Sequence, residues 1–399
     1  VAGALPFIIS GSIPHPIDAI FEAVSGFTTT GASILSDVEA LSHCMLIWRS
    51  FTHWIGGMGV LVFILCLLPL TGGYHMNLMK AESPGPSVSK LVPKVQSTAK
   101  ILYTIYIILT IVEIIFLLIG KMPLFDTLCL SFGTAGTGGF GIKNDSIASY
   151  STYNQVVITV FMILFGINFN AYYLLLTKKV MQAAKNEEVR YYLGIIGLAI
   201  VAIAINTREM FTSFGRAFQQ AAFQVGSIIT TTGYATTDFN VWPVFSKTIL
   251  VILMFVGACA GSTGGGIKVS RLLILCKSAR KELQLYLHPN AVKKIKMDDK
   301  AIPHEVVRAT NMFLFVYIMI FVISLLIISL DNLDMVSNFT AIAATLNNIG
   351  PGLGAVGPTG NFNTYSYISK AVMIFDMLAG RLEVFPLLLL FKRDTWRKF

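Results

Sequence analysis

Residues 26–33 read GFTTTGAS, three threonines between two glycines, in a chain that is 54% hydrophobic and 13% charged with a mean hydropathy of +0.69. Soluble domains carry about 25% charged residues, so this is the composition of an integral membrane protein. The stretch follows an apolar run too short to cross a bilayer, precedes one long enough to do so, and matches no enzyme motif. It decides the fold because it recurs. Aligned by eye, AIFEAVSGFTTTGAS (19–33), TLCLSFGTAGTGGFG (127–141), QAAFQVGSIITTTGYAT (220–236) and IAATLNNIGPGLG (342–354) share one layout: a short helix-compatible stretch, then a cluster of small or polar residues with glycine. Gly31, Gly138, Gly233 and Gly350 fall in one column, separated by 107, 95 and 117 residues. Spacing that long and that regular predicts an internal fourfold repeat. Each short stretch reaches only about halfway across a membrane that needs ~20 helical residues, so it reads as re-entrant.

Around these stretches lie apolar runs at 101–120, 156–177, 191–205, 248–277 (interrupted), 312–330 and 371–391, and another from 54 to 70 that begins near Leu46. The chain opens with VAGALPFIIS and has about ten apolar residues before Gly11, the pattern of a first span that has lost its beginning; no signal peptide can be argued. Charge assigns the sides. Connections 71–100, 178–190, 277–308 and 392–399 carry 20 Lys and Arg against 8 acidic residues, whereas 11–47, 121–155, 206–247 and 331–370 carry 6 against 10. Positively charged connections stay in the cytoplasm, which puts the threonine–glycine loops outside. The net charge of +9 is therefore topological, and nucleic acid is not an expected partner. Cys44, Cys66, Cys129, Cys259 and Cys276 have no metal or redox spacing and read as small core residues. The six histidines have no ligand spacing, and His53 reads as an interfacial or packing residue.

Non-helical backbone at membrane depth is tolerated only where it lines water or is buried in protein. Glycine supplies positive φ, which lets successive carbonyls point one way. Four such loops around one axis would form a ring of carbonyl oxygens with the negative ends of the half-helices aimed at its centre, a substitute for the hydration shell of a monovalent cation. The competing reading is that each glycine merely terminates its helix.

A second glycine cluster lies in GACAGSTGGGIKVSR (257–271), with Gly257, Gly261, Gly264, Gly265 and Gly266 inside what should be a span. Glycine costs about 1 kcal/mol per residue against alanine in a helix, so the span should break into 248–256 and 267–277. A phosphate loop is excluded because Ile267 separates Gly266 from Lys268, Val269 follows, and the flanks are membrane spans. A glycine-rich helix-packing seam is the plain alternative. Arg381 interrupts the last apolar run, where an arginine costs ~2.5 to 3.5 kcal/mol, and should face a cavity or snorkel to the interface beside Lys392 and Arg393. Asp376 and Glu383 are near it in sequence. Lys268 and Arg271 are ambiguous between pore and interface, and Glu113 reads as an interhelical hydrogen-bond partner.

HWIGGMGVLVF (53–63), MNLMKAESPGP (76–86), GACAGSTGGGIKVSR (257–271) and AGRLEVFPLLLLF (379–391), in this order and with the fourfold glycine column, resemble the TrkH branch of the Trk/Ktr/HKT superfamily of potassium transporters. The resemblance runs through the whole chain, although the extra amino-terminal helices of TrkH relatives are not in it. It implies an all-α membrane protein of four pseudo-symmetric membrane-loop-membrane repeats around a pore, here 1–70, 101–177, 191–277 and 309–392. It implies filter carbonyls from Thr29, Thr30 and Gly31, from Gly136, Thr137 and Gly138, from Thr231, Thr232 and Gly233, and from Asn348, Ile349 and Gly350. The fourth loop has no threonine, so the symmetry is imperfect. The resemblance also makes Gly257, Gly261, Gly264, Gly265, Gly266, Lys268 and Arg381 candidates for a gate beneath the filter.

The function so implied is potassium uptake through a gated pore in the bacterial inner membrane; the alternative is a sodium- or proton-coupled potassium symporter of the KtrB-like branch. A carrier built from two inverted halves fits four like-oriented loops poorly, and a membrane enzyme fits less well still. Potassium is the transported ion. The resemblance implies a homodimer in membrane lipid that binds cytosolic TrkA-like nucleotide-binding subunits, with 277–308 as a docking surface and the nucleotide held by the partner rather than by this chain.

Overall fold

The computed structural model describes residues 2–59, 95–289, 294–382 and 384–389, and its elements are helical apart from one two-residue hairpin. The stretches 60–70 and 76–86, Cys66, His75, Glu383 and the basic residues 392–399 fall outside the described residues.

In chain order, α1 (Leu5–Ile9) leads into a short helix, α2 (Pro16–Phe27), and then α3 (His43–Met58). A long helix, α4 (Val95–Ile119), precedes the short α5 (Leu124–Gly136), after which come α6 (Thr152–Phe165), α7 (Phe169–Leu176) and the brief α8 (Val180–Ala184). Next are α9 (Glu187–Asn206), the short α10 (Phe214–Ile229), α11 (Val244–Val256) and α12 (Val269–Leu287). The antiparallel hairpin β1 (Lys296–Met297) and β2 (Lys300–Ala301) leads to α13 (His304–Ile328), the short α14 (Met335–Leu346), α15 (Tyr367–Arg381) and α16 (Val384–Leu389).

Helices α2, α5, α10 and α14 have 12, 13, 16 and 12 residues. At 1.5 Å per residue they are ~18 to 24 Å long, short of a ~30 Å hydrocarbon layer. Their starts are chemically marked. Proline occupies the first turn of α2, Ser213 accepts a hydrogen bond from the Arg216 N–H, and Asp334 accepts one from Ser337. Residues 99–119, α9 and residues 304–331 are long and apolar enough to span. Their outer faces expose Ile108, Ile111, Ile115, Leu198, Phe315 and Leu326, which suits lipid and would not suit water.

Around the interior the elements close a circle of neighbours: α2 packs on α3, α3 on α5, α5 on α6, α6 on α10, α10 on α11, α11 on α14, α14 on α15, and α15 back on α2. The three long helices lie outside it.

The structure departs from the sequence expectation at several spans. The run 156–177 is not one helix, because α6 and α7 meet at 90°. Gly166 ends α6, and Asn168 caps α7 by accepting from the Asn170 N–H. The span expected over 191–205 starts earlier, at Glu187, because Asn186 caps it by accepting from Val189. The expected break after Val256 is present, with helix resuming at Val269. The last run also breaks, at Leu382, directly after Arg381. Cys129 and Cys259 are buried as expected, whereas Cys44 and Cys276 are exposed.

Candidate functional site

All four short helices end in the same way. Thr30 donates its N–H to Ser25 O, Gly138 to Gly133 O, Thr232 to Ser227 O and Ile349 to Ala344 O, at 2.8, 2.8, 2.9 and 2.8 Å. One residue earlier, Thr29, Thr137, Thr231 and Asn348 each donate to the carbonyl three residues back, with left-handed φ of 54°, 52°, 60° and 56°. This is a Schellman closure, in which glycine usually takes the left-handed position. Here threonine or asparagine takes it, so the glycines are not the helix terminators that the plain reading made them.

The glycines stand two residues further on. Gly31, Gly139, Gly233 and Gly350 have φ of 79°, 79°, 86° and 99°. The second loop is therefore one residue out of the register read by eye: Gly139, not Gly138, shares the conformation of the other three. Gly136 is the last residue of α5, and the triplet equivalent to Thr29, Thr30 and Gly31 is Thr137, Gly138 and Gly139. Two adjacent glycines made the sequence alignment degenerate, and only the backbone resolves it.

These glycines are needed for contact as well as for φ. A Cβ on Gly31 would collide with the Gly138 carbonyl oxygen, on Gly139 with that of Thr232, on Gly233 with that of Ile349, and on Gly350 with that of Thr30. Each loop thus lays the carbonyl before its own glycine against the glycine of a neighbour, and the sequence of contacts returns to its start. The loops form a closed ring of backbone.

Side chains lock it from behind. Asn348 donates to Thr30 Oγ1 and to the Met377 carbonyl, both at 2.9 Å. The Thr28 and Thr30 hydroxyls pair at 2.8 Å, and Thr230 and Thr232 at 2.7 Å. His53 is buried, with Nδ1 2.8 Å from the Gly26 carbonyl and Nε2 accepting from the Phe140 N–H at 3.2 Å, so it packs between the first and second loops. Arg49 and Glu22 form a buried ion pair at 2.8 Å; Glu22 also accepts from the Ile34 N–H, and Arg49 donates to the Gly141 carbonyl and lies 4.0 Å over the Phe140 ring.

On one side of the ring a cavity of about 180 Å³ is bordered by Gly31, Gly139, Gly233 and Gly350. On the opposite side, where the short helices end, lies the glycine segment 257–268. Gly265 donates its N–H to Thr231 Oγ1 at 2.6 Å and Gly266 to the Asn347 carbonyl at 3.1 Å, and Gly264 packs on the Thr230 carbonyl. Gly257, Gly261 and Gly266 have φ of 71°, 68° and 78°, so the segment is an irregular fold-over rather than a helical seam. It also rests on the bend between α6 and α7, where Phe169 donates to the Gly261 carbonyl at 3.0 Å and Cys259 to that of Gly166 at 3.1 Å.

Cations hold this segment. Lys268 is 1% exposed, has φ of 82° and donates to the Gly264 carbonyl. Arg381 donates to the Thr263 carbonyl at 2.7 Å and to those of Gly56 and Gly57 at 2.5 and 2.7 Å, tying the segment to the end of α3. Arg271 is buried with its guanidinium 4.0 Å over the Phe313 ring, so both it and Lys268 are enclosed by protein. Asp376 accepts from Ser324 at 2.8 Å. Glu113 is buried on α4 with the Thr134 side chain of α5 beside its carboxylate.

The family model described as "TrkH: Cation transport protein" matches residues 1–397. The chain belongs to the TrkH family. It is 38% identical over 402 residues to the Trk system potassium uptake protein TrkH of Salmonella typhimurium, covering 99% of this chain and 83% of that one. It is 34% identical to TrkG of Escherichia coli, covering 96% and 79%. The crystal structure of the potassium transporter TrkH from Vibrio parahaemolyticus superposes with a TM-score of 0.86 at 36% identity, over 99% of this chain and 82% of that one.

Sequence reasoning missed several residues of this TrkH-family site. Gly139 was obscured by its neighbour Gly138. Arg49 and Glu22 each look like an ordinary charge beside a membrane run, although Glu22 sits within an apolar helix, where a lone acid needs a partner. Glu188, buried near the start of α9 and accepting from the Ala260 and Ser270 N–H groups, has nothing in its local sequence to set it apart from loop charge.

Proposed function

We propose that this TrkH-family chain takes up potassium through the ring formed by its four loops. The observation that carries this reading is the cyclic contact in which Gly31, Gly139, Gly233 and Gly350 each receive the carbonyl of the next loop. A rigid ring of backbone carbonyls suits a dehydrated monovalent cation. The filter residues are then Thr29, Thr30 and Gly31; Thr137, Gly138 and Gly139; Thr231, Thr232 and Gly233; and Asn348, Ile349 and Gly350. The repeats run over 1–70, 101–177, 191–277 and 309–392, and the 180 Å³ cavity is the outer mouth in a bacterial inner membrane. The relatives' names, potassium uptake proteins of a Trk system, favour uptake over the coupled alternative and speak for a multi-component system; the assembly proposed for it is a homodimer with cytosolic TrkA-like nucleotide-binding subunits.

Beneath the ring, segment 257–268 is the gate, latched by Arg381 and Lys268. It touches the inner ends of the third and fourth loops, and a cation leaving the ring inward would meet it there.

The test is rubidium flux into liposomes holding the purified chain, with sodium as competitor. Selective rubidium entry that Gly31→Ser erodes is expected. Equal sodium and potassium permeation by the unmodified chain would overturn the filter.

A further inference from the structure

The glycine segment has a third anchor besides Arg381 and Lys268. Helix α12 begins badly for a helix end buried in protein. Its N-cap is Lys268, with φ of 82° and no side-chain hydrogen bond to the first turn, so the first N–H groups need an acceptor from elsewhere. Glu188, near the start of α9, supplies it. Its Oε1 accepts from the Ser270 N–H at 3.1 Å and also from the Ala260 N–H at 2.7 Å. Ser270 and Ala260 lie on opposite limbs of the segment, so one carboxylate oxygen pins both. The other oxygen accepts from Asn168 at 3.4 Å, at the bend between α6 and α7, and the residue is 5% exposed. A carboxylate also suits the positive end of α12.

Glu188 is itself held from the hairpin. Asp298, in the turn between β1 and β2, accepts from the Glu187 N–H at 2.7 Å and from the Asn186 side chain at 3.4 Å. Lys277 closes the same corner, 2.5 Å from Glu187 and donating to the Lys296 carbonyl at 2.7 Å. Two links therefore run from the hairpin turn to the segment: Asp298 to the start of α9, and Glu188 to Ala260 and Ser270.

We infer that Glu188 is the positioning residue that keeps the glycine segment closed under the ring, and that Asp298 on the hairpin sets where Glu188 stands. This rests on segment 257–268 being the gate. For the segment to leave Thr231 and Asn347, the limbs carrying Ala260 and Ser270 must part or move together away from α9, and either motion breaks a hydrogen bond to a charged acceptor. Those bonds are stronger than neutral ones. Moving the hairpin would shift the acceptor, so a load applied at Asp298 is felt at the segment through Glu188.

The test is single-channel and rubidium-flux measurement on the full chain in liposomes. Glu188→Gln keeps the shape but removes the charge, and should raise the open fraction by about tenfold, the loss of one charge-assisted bond, with unitary current and potassium preference unchanged. Asp298→Ala should raise it less, and should add nothing in a Glu188→Gln background. Deletion of residues 261–265 serves as the control for the gate. If the deletion leaves flux at the wild-type level, the gate reading fails and takes this inference with it. If the deletion raises flux while a folded Glu188→Gln protein opens as wild type, the gate stands and the role of Glu188 is refuted. A full additional rise from Asp298→Ala in the Glu188→Gln background would overturn the link between the two. Should Glu188→Gln fold poorly, Glu188→Asp replaces it, keeping the charge on a shorter stem. An open fraction equal to wild type, with the carboxylate still hydrogen-bonded to Ala260 and Ser270 in the variant's structure, supports the clamp; equal opening with both of those hydrogen bonds broken overturns it.

Discussion

The ring and the segment beneath it both depend on glycines with positive φ, but they are held in opposite ways. The ring is built from backbone against backbone, with four like closures, and each glycine is filled by a neighbour's carbonyl. The segment occurs once and, besides backbone contacts to Gly166, Phe169 and Asn347, is held by side chains reaching in from other elements: Glu188 from α9, Arg381 from α15 and Thr231 from the third loop. A contact between rigid backbones cannot be released without dismantling its neighbours, because packed interiors are not continuously deformable. A hydrogen bond from a rotatable side chain can be exchanged. The difference is what the proposed reading needs, a constant ring and a segment that moves.

Gly139→Ala should break that contrast most severely. The new methyl group would collide with the Thr232 carbonyl at a φ of 79°. Left-handed strain alone costs about 1 to 3 kcal/mol, and the collision adds to it. Rubidium uptake should fall by at least ~100-fold with loss of potassium preference, while alanine at Gly194, where nothing lies within 4 Å of the added Cβ, should leave uptake unchanged. Normal selectivity in Gly139→Ala would show that the second loop is not in the register described.

Two arginines sharpen the contrast next. Arg49 braces the ring through Glu22, with side chains 2% and 0% exposed. Arg49→Leu leaves a buried carboxylate without its countercharge, a loss of about 3 to 5 kcal/mol. It should lower the thermal midpoint in detergent and reduce uptake in step. A midpoint equal to wild type would mean that the ring does not depend on the pair.

Arg381 donates to carbonyls on two elements, a task for its planar fork that a lysine cannot repeat. Arg381→Lys and Arg381→Ala should therefore both raise flux, to similar extents of about tenfold for a lost charge-assisted bond worth ~1.5 kcal/mol. If the residue acted only as a positive barrier, lysine would behave like arginine and alanine alone would conduct faster. Unchanged flux in a folded Arg381→Ala protein would refute both versions.

The same contrast explains what could be read from the chain. The ring was legible because four copies repeat, so that AIFEAVSGFTTTGAS could be checked against its counterparts. Its one ambiguity fell where Gly138 and Gly139 stand side by side and pattern has no means of choosing. The break at Gly257 was legible from glycine cost alone. What holds the segment was not, because Glu188 lies 72 residues from Ala260 and 82 from Ser270. Nothing local distinguishes it from Glu187, whose side chain is partly exposed and pairs with Lys277. Contacts made once, between distant elements and by single side chains, leave no period in a sequence. The bend between α6 and α7 has only a weak local mark: apolar residues flank Gly166, Asn168 and Asn170 on both sides, and the turn that Asn168 caps is held further by the segment packed against it.

The smallest effect is expected at the rim of the cavity, where the first and second loops are joined by solvent-exposed side-chain hydrogen bonds. Asn144 donates to Asp37 and accepts from the Val38 N–H, both at 2.8 Å, and its own N–H reaches Glu39 at 3.1 Å. The Asn144 amide holds the Asp37 carboxyl below its ordinary value. A depressed carboxyl contributes its stabilisation above the ordinary carboxylate range, near pH 3.9, and loses it only as the pH falls through the lower, folded value. From pH 8 to pH 5 the contact is constant. Asp37 is fully exposed, so water screens what remains. Asp37→Asn should therefore give the wild-type rubidium uptake and thermal midpoint at pH 7, and the two proteins' pH profiles should stay superimposed down to pH 5. Divergence above pH 5 would mean that the rim shapes the ring's outer mouth and that the ring is not self-supporting. Coincidence would leave its constraints to the glycine contacts and the buried side chains behind them, Asn348, His53 and the pair formed by Arg49 and Glu22.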